Sequence, residues 1–313
     1  MKKVAFLFIA ALLFALTFTS FAATTPGPIG IVIPSADHGW LAAVSYFSKQ
    51  KADQLKLKEG SGYKLVTSAN VNEQANQIEE MIALKCSAIV LLPHNNEVSV
   101  AADKILKNNI KLVLFDRKVS GDYTAYIAGD NAGLGVASAE YIGKKLGGKG
   151  TVAVMNCPSV GSVSTERVQG FKQTVAKKFP GLKLVDVTSS GFSMEDGLKM
   201  ATDMLVAYPK LDAVFSIDDE PSVGILQAIK DANRKDIKVI SGGGGTQTYF
   251  KTMGGNTGID LFTATYSPAM IKDAIQAAYD LNRGKSVKKN TIIEPSIVNK
   301  DNYTKFLDKG SPY

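Results

Sequence analysis

The chain has 313 residues, enough for two domains that each bury a core of their own. Apolar content of 45% and charged content of 21% exclude a disordered or fibrous chain. The net charge of +7 is scattered, with only short basic pairs such as Lys177-Lys178 and Lys288-Lys289, so no basic stripe interleaved with aromatics points to nucleic acid.

In chain order, the first segment reads as a targeting signal. Lys2 and Lys3 give a basic start, "VAFLFIAALLFALTF" is an apolar run, and Ser20-Phe21-Ala22 ends in small residues suited to a signal peptidase. Residues 1–22 are therefore expected to be a cleaved signal peptide and the mature protein to be periplasmic. The competing reading, an uncleaved anchor, fits less well because the run is barely long enough to span a bilayer. No cysteine marks a lipid-anchor site. Cleavage removes two lysines and no acids, leaving 34 basic and 29 acidic residues and a charge of +5.

After the signal, strand and helix patterns alternate. Apolar, β-rich runs fall at 29–34, 63–68, 88–93, 111–115, 151–155, 182–187, 212–217, 237–241 and 261–266. Stretches of helical length fall at 72–85, 96–108, 132–147, 164–179, 194–207, 221–232 and 268–283. Near-continuous apolar strands separated by helices predict an α/β fold with parallel sheets covered on both faces. The pattern of 87–118 recurs at 212–245, which suggests two sequential copies of one architecture, and "YIAGDNAGLG" (126–135) is a natural crossover between them.

In such sheets, ligands bind outside the carboxyl ends of the strands. Asp37, His38 and Trp40 follow the first strand, Asp116 and Arg117 the fourth, and Asp218, Asp219 and Glu220 the strand at 212–217. "GGGG" (242–245) and Tyr266 also end strands. An ionised carboxylate only accepts hydrogen bonds and a guanidinium only donates, whereas a sugar hydroxyl does both. An adjacent Asp-Arg pair thus matches neighbouring hydroxyls, and the single tryptophan, Trp40, offers a flat apolar face to a sugar ring. Against this, Asp116-Arg117 also suits a solvated turn, Trp40 suits helix packing, and acids such as Asp218 to Glu220 favour any helix N-terminus.

Other chemistry fares worse. His38 and His94 have no metal-ligand partner at short spacing, and His94 reads as a polar strand end. The glycine run lacks the lysine and hydroxyl residue of a phosphate loop and reads as backbone passing close to a ligand or the facing lobe. No nucleophile elbow is present, and nothing marks a catalytic carboxylate pair.

At "FDR" (115–117), "TERVQGF" (165–171) and "AVFSIDDEPSVGILQAI" (213–229), the chain resembles the periplasmic sugar-binding proteins of the ribose-binding type, which feed ABC importers. The resemblance covers nearly the whole mature chain. It implies a type I periplasmic binding protein fold, with two similar doubly wound lobes joined by a three-segment hinge and a sugar in the cleft between them. The first lobe would comprise 24–130 and 267–294, and the second 131–266 and 295–313. Carried over by motif, the ligand site would comprise Asp37, His38, Trp40, Asp116, Arg117, Arg167, Phe192, Asp218, Gly244 and Tyr266. The ribose-type pattern has an aspartate near Gly244 and a glutamine at Tyr266, while His38 and Trp40 replace an asparagine and a phenylalanine. Ribose itself is therefore not the assigned ligand, and the glycine run is expected to leave room for a bulkier substituent.

The resemblance implies a monosaccharide or polyol as ligand, an ABC permease as partner and no enzymatic turnover, cofactor or metal. A monomer suits docking of both lobe tips on a permease. The alternatives are a sensor that reports ligand to a chemoreceptor or membrane kinase and, further off, an exported sugar-modifying enzyme. Cys86 and Cys157 fall in different lobes and are expected to be separate buried thiols rather than a disulfide. Replacing Arg167 or Asp116 with alanine is expected to abolish ligand stabilisation while leaving the unliganded melting point nearly unchanged.

Overall fold

The computed structural model describes residues 26–36 and 39–313. The first lobe runs β1 (Ile29–Pro34), α1 (Gly39–Gln54), β2 (Tyr63–Ser68), α2 (Val71–Ala83), β3 (Ala88–Leu91), α3 (Ser99–Lys107), β4 (Lys111–Phe115) and β5 (Ala125–Gly129). The second runs α4 (Asn131–Lys145), β6 (Gly150–Asn156), α5 (Ser162–Lys178), β7 (Leu182–Thr188), α6 (Met194–Ala207), β8 (Ala213–Phe215), α7 (Asp219–Asp231), β9 (Val239–Gly244), α8 (Gln247–Gly255) and β10 (Asp260–Thr265). The chain then supplies α9 (Ile271–Leu281), β11 (Asn290–Ile293) and β12 (Ile297–Asn299).

Two six-stranded sheets result, in the orders β11-β5-β4-β3-β1-β2 and β12-β10-β9-β8-β6-β7. The second order repeats the first position by position. Pairing is parallel throughout except between β10 and β12. The units at 87–118 and 212–245 map onto β3-α3-β4 and β8-α7-β9, equivalent places in the two sheets.

Composition explains where each strand sits. β1, β3 and the last four residues of β4 are buried without a break, as central strands covered on both faces must be. The edge strands β2 and β7 mix exposed or half-buried residues with buried ones. Helix starts are set by side-chain caps. Asn70 accepts from the Glu73 amide at α2, Asp130 from Gly133 at α4, and Ser193 and Asp196 form a reciprocal capping box at α6. The second lobe's core includes Phe171 stacked on Phe215, with ring centroids 4.0 Å apart.

The chain passes between sheets three times. It leaves β5 for α4, leaves β10 for α9, and leaves β11 for β12. In both sheets the order reverses beside β1 and β6, and the crevice at such a switch point is where doubly wound sheets bind ligands.

Candidate functional site

Side chains from the carboxyl ends of both sheets converge on the crossing that follows β10. Tyr266 stands at its centre. Its amide donates to Gly244 O at 2.8 Å, which fixes it to the end of β9. Its ring lies on Gly129 at the end of β5, so close that a Cβ there would sit 2.4 Å from the ring. A side chain at 129 would force these two crossings apart.

Asp116 reaches Tyr266 from the first lobe. Its backbone takes the left-handed conformation, φ +63°, which aspartate tolerates better than most residues. The twist is held by Asp116 N donating to Ile127 O at 2.9 Å and by Tyr126 Oη donating to Asp116 O at 2.9 Å. Thus turned, Asp116 Oδ1 accepts a 2.6 Å hydrogen bond from Tyr266 Oη. Burial, and then the negative charge of Asp116, push the Tyr266 hydroxyl well above its ordinary pKa and that of Tyr126 up to about 12.

Trp40 closes the same cluster. Its indole Nε1 donates to Tyr266 O at 3.0 Å, and one face stacks on Phe115, centroids 6.0 Å apart and 5° from parallel. Trp40 is half-buried, and its centroid lies 6.2 Å from that of Tyr266.

Arg167 comes from the second lobe, on α5. A surface arginine is the ordinary expectation for a helix, yet this one is 4% exposed. Two close helix contacts place it. A Cβ at Gly135 would lie 2.0 Å from Arg167 O, and one at Gly170 would lie 2.2 Å from Ala132 O, so only glycine lets α4 and α5 approach this far. Arg167 Nε donates to Asn131 Oδ1 at 2.9 Å and Nη1 to Ile217 O at 2.7 Å. The guanidinium lies over the Tyr266 ring, 5.0 Å from its centroid, and 3.8 Å from Asp218 Oδ2. These contacts argue against the expectation that removing Arg167 leaves the unliganded melting point nearly unchanged, because the cation is buried and donates two hydrogen bonds within the second lobe.

Asp218 is the N-cap of α7 and accepts from the Glu220 amide at 3.1 Å. Burial, then the neighbouring charge of Asp219, push its carboxyl up to about 8, with Arg167 opposing the shift. Asp219 is fully buried and serves the fold. It accepts from the amides of Gly245 and Thr246 at 2.7 and 2.6 Å and from Thr263 Oγ1 at 2.6 Å, which ties the turn after β9 to β10.

The other expected residues distribute as follows. Arg117 stays ion-paired with Asp116, Nε 3.5 Å from Oδ2, while its Nη1 donates to His94 O at 3.0 Å. The adjacent acid and base thus hold each other at the strand end, and the guanidinium does not reach Tyr266. Phe192 is half-buried against the second lobe's core. Asp37 and His38 lie outside the described residues. Gly244 ends β9 at φ +129°, and the space beside it is filled: a Cβ there would lie 2.1 Å from Tyr313 Oη. The expected room for a bulkier substituent beside this glycine is therefore taken by the chain itself. Sequence reasoning missed Phe115, Asn131 and Tyr313. "GDN" at the crossover was the one local signal, for Asn131.

Cys86 and Cys157 are free and buried, one in each lobe. His94 makes a strand-end contact, its Nε2 3.0 Å from Ser68 O. Among the described residues, no three or more His, Cys, Asp or Glu side chains gather to hold a metal ion, and no helix is long and apolar enough to cross a membrane.

A family described as periplasmic binding protein domain matches residues 29–286. The ribose import binding protein of Salmonella typhimurium is 28% identical over 246 residues, covering 77% of this chain and 79% of its own. The D-apiose import binding protein of Actinobacillus succinogenes is 26% identical over 232 residues, covering 72% and 73%. An ABC transporter periplasmic solute-binding protein from Actinobacillus succinogenes 130z, solved with bound D-allose, superposes with a TM-score of 0.79 at 19% identity, covering 89% of this chain and 99% of that one. That likeness establishes the fold, two parallel-sheet α/β lobes of the type I periplasmic binding protein kind.

Proposed function

The chain belongs to the periplasmic binding protein domain family, whose members bind rather than transform their ligands, and from that premise we propose that it captures a monosaccharide or related polyol between its lobes and delivers it to an ABC importer. The observation that carries this reading is the convergence on Tyr266 of Asp116 from the first lobe and Arg167 from the second, with Asp218 beside Arg167 and the Trp40 indole alongside. Acceptor, donor and flat ring are the groups a polyhydroxylated ring needs.

The ligand drives closure through its differential affinity for the closed form, since only there do both lobes touch it. A dissociation constant near micromolar, about -8 kcal/mol, suits capture and release to a permease. The relatives named for ribose and D-apiose support a small sugar without choosing one. Residues 1–22 are the proposed cleaved export signal, and the periplasm the proposed compartment.

The test is a thermal-shift panel of pentoses, hexoses and polyols, because a ligand selective for the native state raises the melting point. One sugar that raises it, with the shift lost in Asp116→Ala, supports the reading. A panel with no shift at millimolar concentration counts against it.

A further inference from the structure

The segment after β12 touches both lobes. Gln247, at the start of α8, clasps it with both ends of its amide: Nε2 donates to Phe306 O at 3.1 Å, and Oε1 accepts from Asp308 N at 2.8 Å. From that clasp the chain runs to Tyr313, whose Oη lies against Gly244 and whose Cδ2 lies 3.6 Å from where a Cβ of Gly39 would stand. Gly244 belongs to the second lobe and Gly39 opens α1 in the first. The ring is 8% exposed, and the charges of Asp218, Asp219 and Arg167 act on its hydroxyl.

Tyr313 also borders a second space. A cavity of about 260 Å³ lies on its outer side, lined among others by Gly39, Met194, Glu220, Gln247 and Thr248. The same ring thus stands between the end of β9, where Gly244 O holds the Tyr266 amide, and this cavity. The clasp at Gln247 holds the segment leading to the ring, and packing against Gly244 and Gly39 holds the ring itself, independently of any ligand.

We propose that Tyr313 is a specificity-determining wall of the sugar site, which limits the ligand to a single ring by separating the inner cluster from the outer cavity. The inference rests on the sugar-binding reading and adds to it the residue that sets ligand size. With Tyr313 in place, a substituent on the sugar that points toward Gly244 meets the phenol. With the ring removed, the inner site and the outer cavity join, and a larger guest fits.

The experiment compares wild type, Tyr313→Phe and Tyr313→Ala by equilibrium titration against D-ribose, D-allose and L-arabinose and their methyl and phenyl glycosides. In wild type the free sugar is expected to bind at least tenfold more tightly than its phenyl glycoside. In Tyr313→Ala that ratio should fall at least tenfold, through weaker binding of the free sugar and gained binding of the glycoside, whereas Tyr313→Phe should stay within a few fold of wild type. A second readout needs no sugar: Tyr313→Ala should melt several degrees below wild type and Tyr313→Phe within a degree or two. Unchanged ratios, or tighter binding of every ligand to Tyr313→Ala as from a removed plug, would overturn the wall. An unchanged ligand-free melting point would overturn the burial on which it rests. If Tyr313→Ala melts low and no sugar binds any variant, the sugar reading fails and takes the wall with it, while the contact between the lobes stands.

Discussion

Arg167→Ala is the perturbation whose cost the structure defines most closely. The side chain is 5% exposed and donates two hydrogen bonds, to Asn131 Oδ1 and Ile217 O. Hydrogen bonds from a charged donor contribute about 1.5–3 kcal/mol each. The cation over the Tyr266 ring adds about 0.5–2 kcal/mol. These terms share one side chain and do not simply add. The two lost hydrogen bonds set the scale, and a cost of about 3–5 kcal/mol is the value to expect. For a chain of this size each kcal/mol moves the midpoint by roughly 2–4 °C, so a fall of about 10 °C is expected without any sugar. Far-UV circular dichroism during heating measures it. If the lobes unfold separately, the loss belongs to the transition of the second lobe, which carries α5. Arg167→Lys keeps the charge but not the planar fork, and should recover only part of the loss. An Arg167→Ala midpoint within 1 °C of wild type would refute the buried network and return this residue to a pure ligand role.

Three further outcomes follow from the same geometry. Tyr266→Phe removes the donor to Asp116, whose side chain is only 9% exposed, and should cost about 1.5–3 kcal/mol in urea unfolding, an effect that Asp116→Asn in the same background should not deepen. Asp218 is held up to about 8 in the folded protein against 3.8 ordinarily, so the folded form retains a proton that the unfolded chain releases; that stability is full below about pH 4 and is lost as pH rises through about 8. The wild-type melting point should therefore fall between pH 5 and pH 9 more steeply than that of Asp218→Asn, which keeps the helix cap without the titration; parallel curves would contradict the burial of Asp218. Cys86, whose thiol burial pushes up to about 11, and the buried Cys157 should both resist a thiol reagent at neutral pH until denaturant is added, and rapid labelling of either would show that its lobe opens.

The sequence carried much of this fold because most central strands are continuous apolar runs. "IGIVIP" and "KLVLF" match β1 and β4 to the residue. β11 and β12 were not legible. They are short, and their pairing with β5 and β10 is decided by chain segments far away in sequence. α1 escaped notice because, although Leu41, Val44 and Ser48, and likewise Ala43 and Phe47, recur at helical spacing on its buried face, the less buried Trp40, Ala42 and Tyr46 are apolar too and blur the stripe. β5 was read only as a crossover, and its last residue, Gly129, does lead into one.

For the site, side-chain type at strand ends pointed to Asp116, Trp40, Asp218 and Tyr266, which the fold brings into one cluster with Arg167. Direction was not legible. Nothing in "FDRK" says that Asp116 twists to φ +63° toward Tyr266 while Arg117, still paired with it, donates to the loop after β3. Nor does the local sequence announce that Tyr313 fills the space beside Gly244, since the two lie 69 positions apart.

A sugar held between the lobes should be felt by Trp40, the one tryptophan in the chain, whose indole donates to Tyr266 O at the crossing. Titrating wild type with pentoses, hexoses and polyols while following tryptophan emission should give one saturable change, at micromolar concentration, for a single sugar or a narrow set. Emission that stays constant for every compound up to millimolar concentration, or that drifts without saturation, would contradict the account.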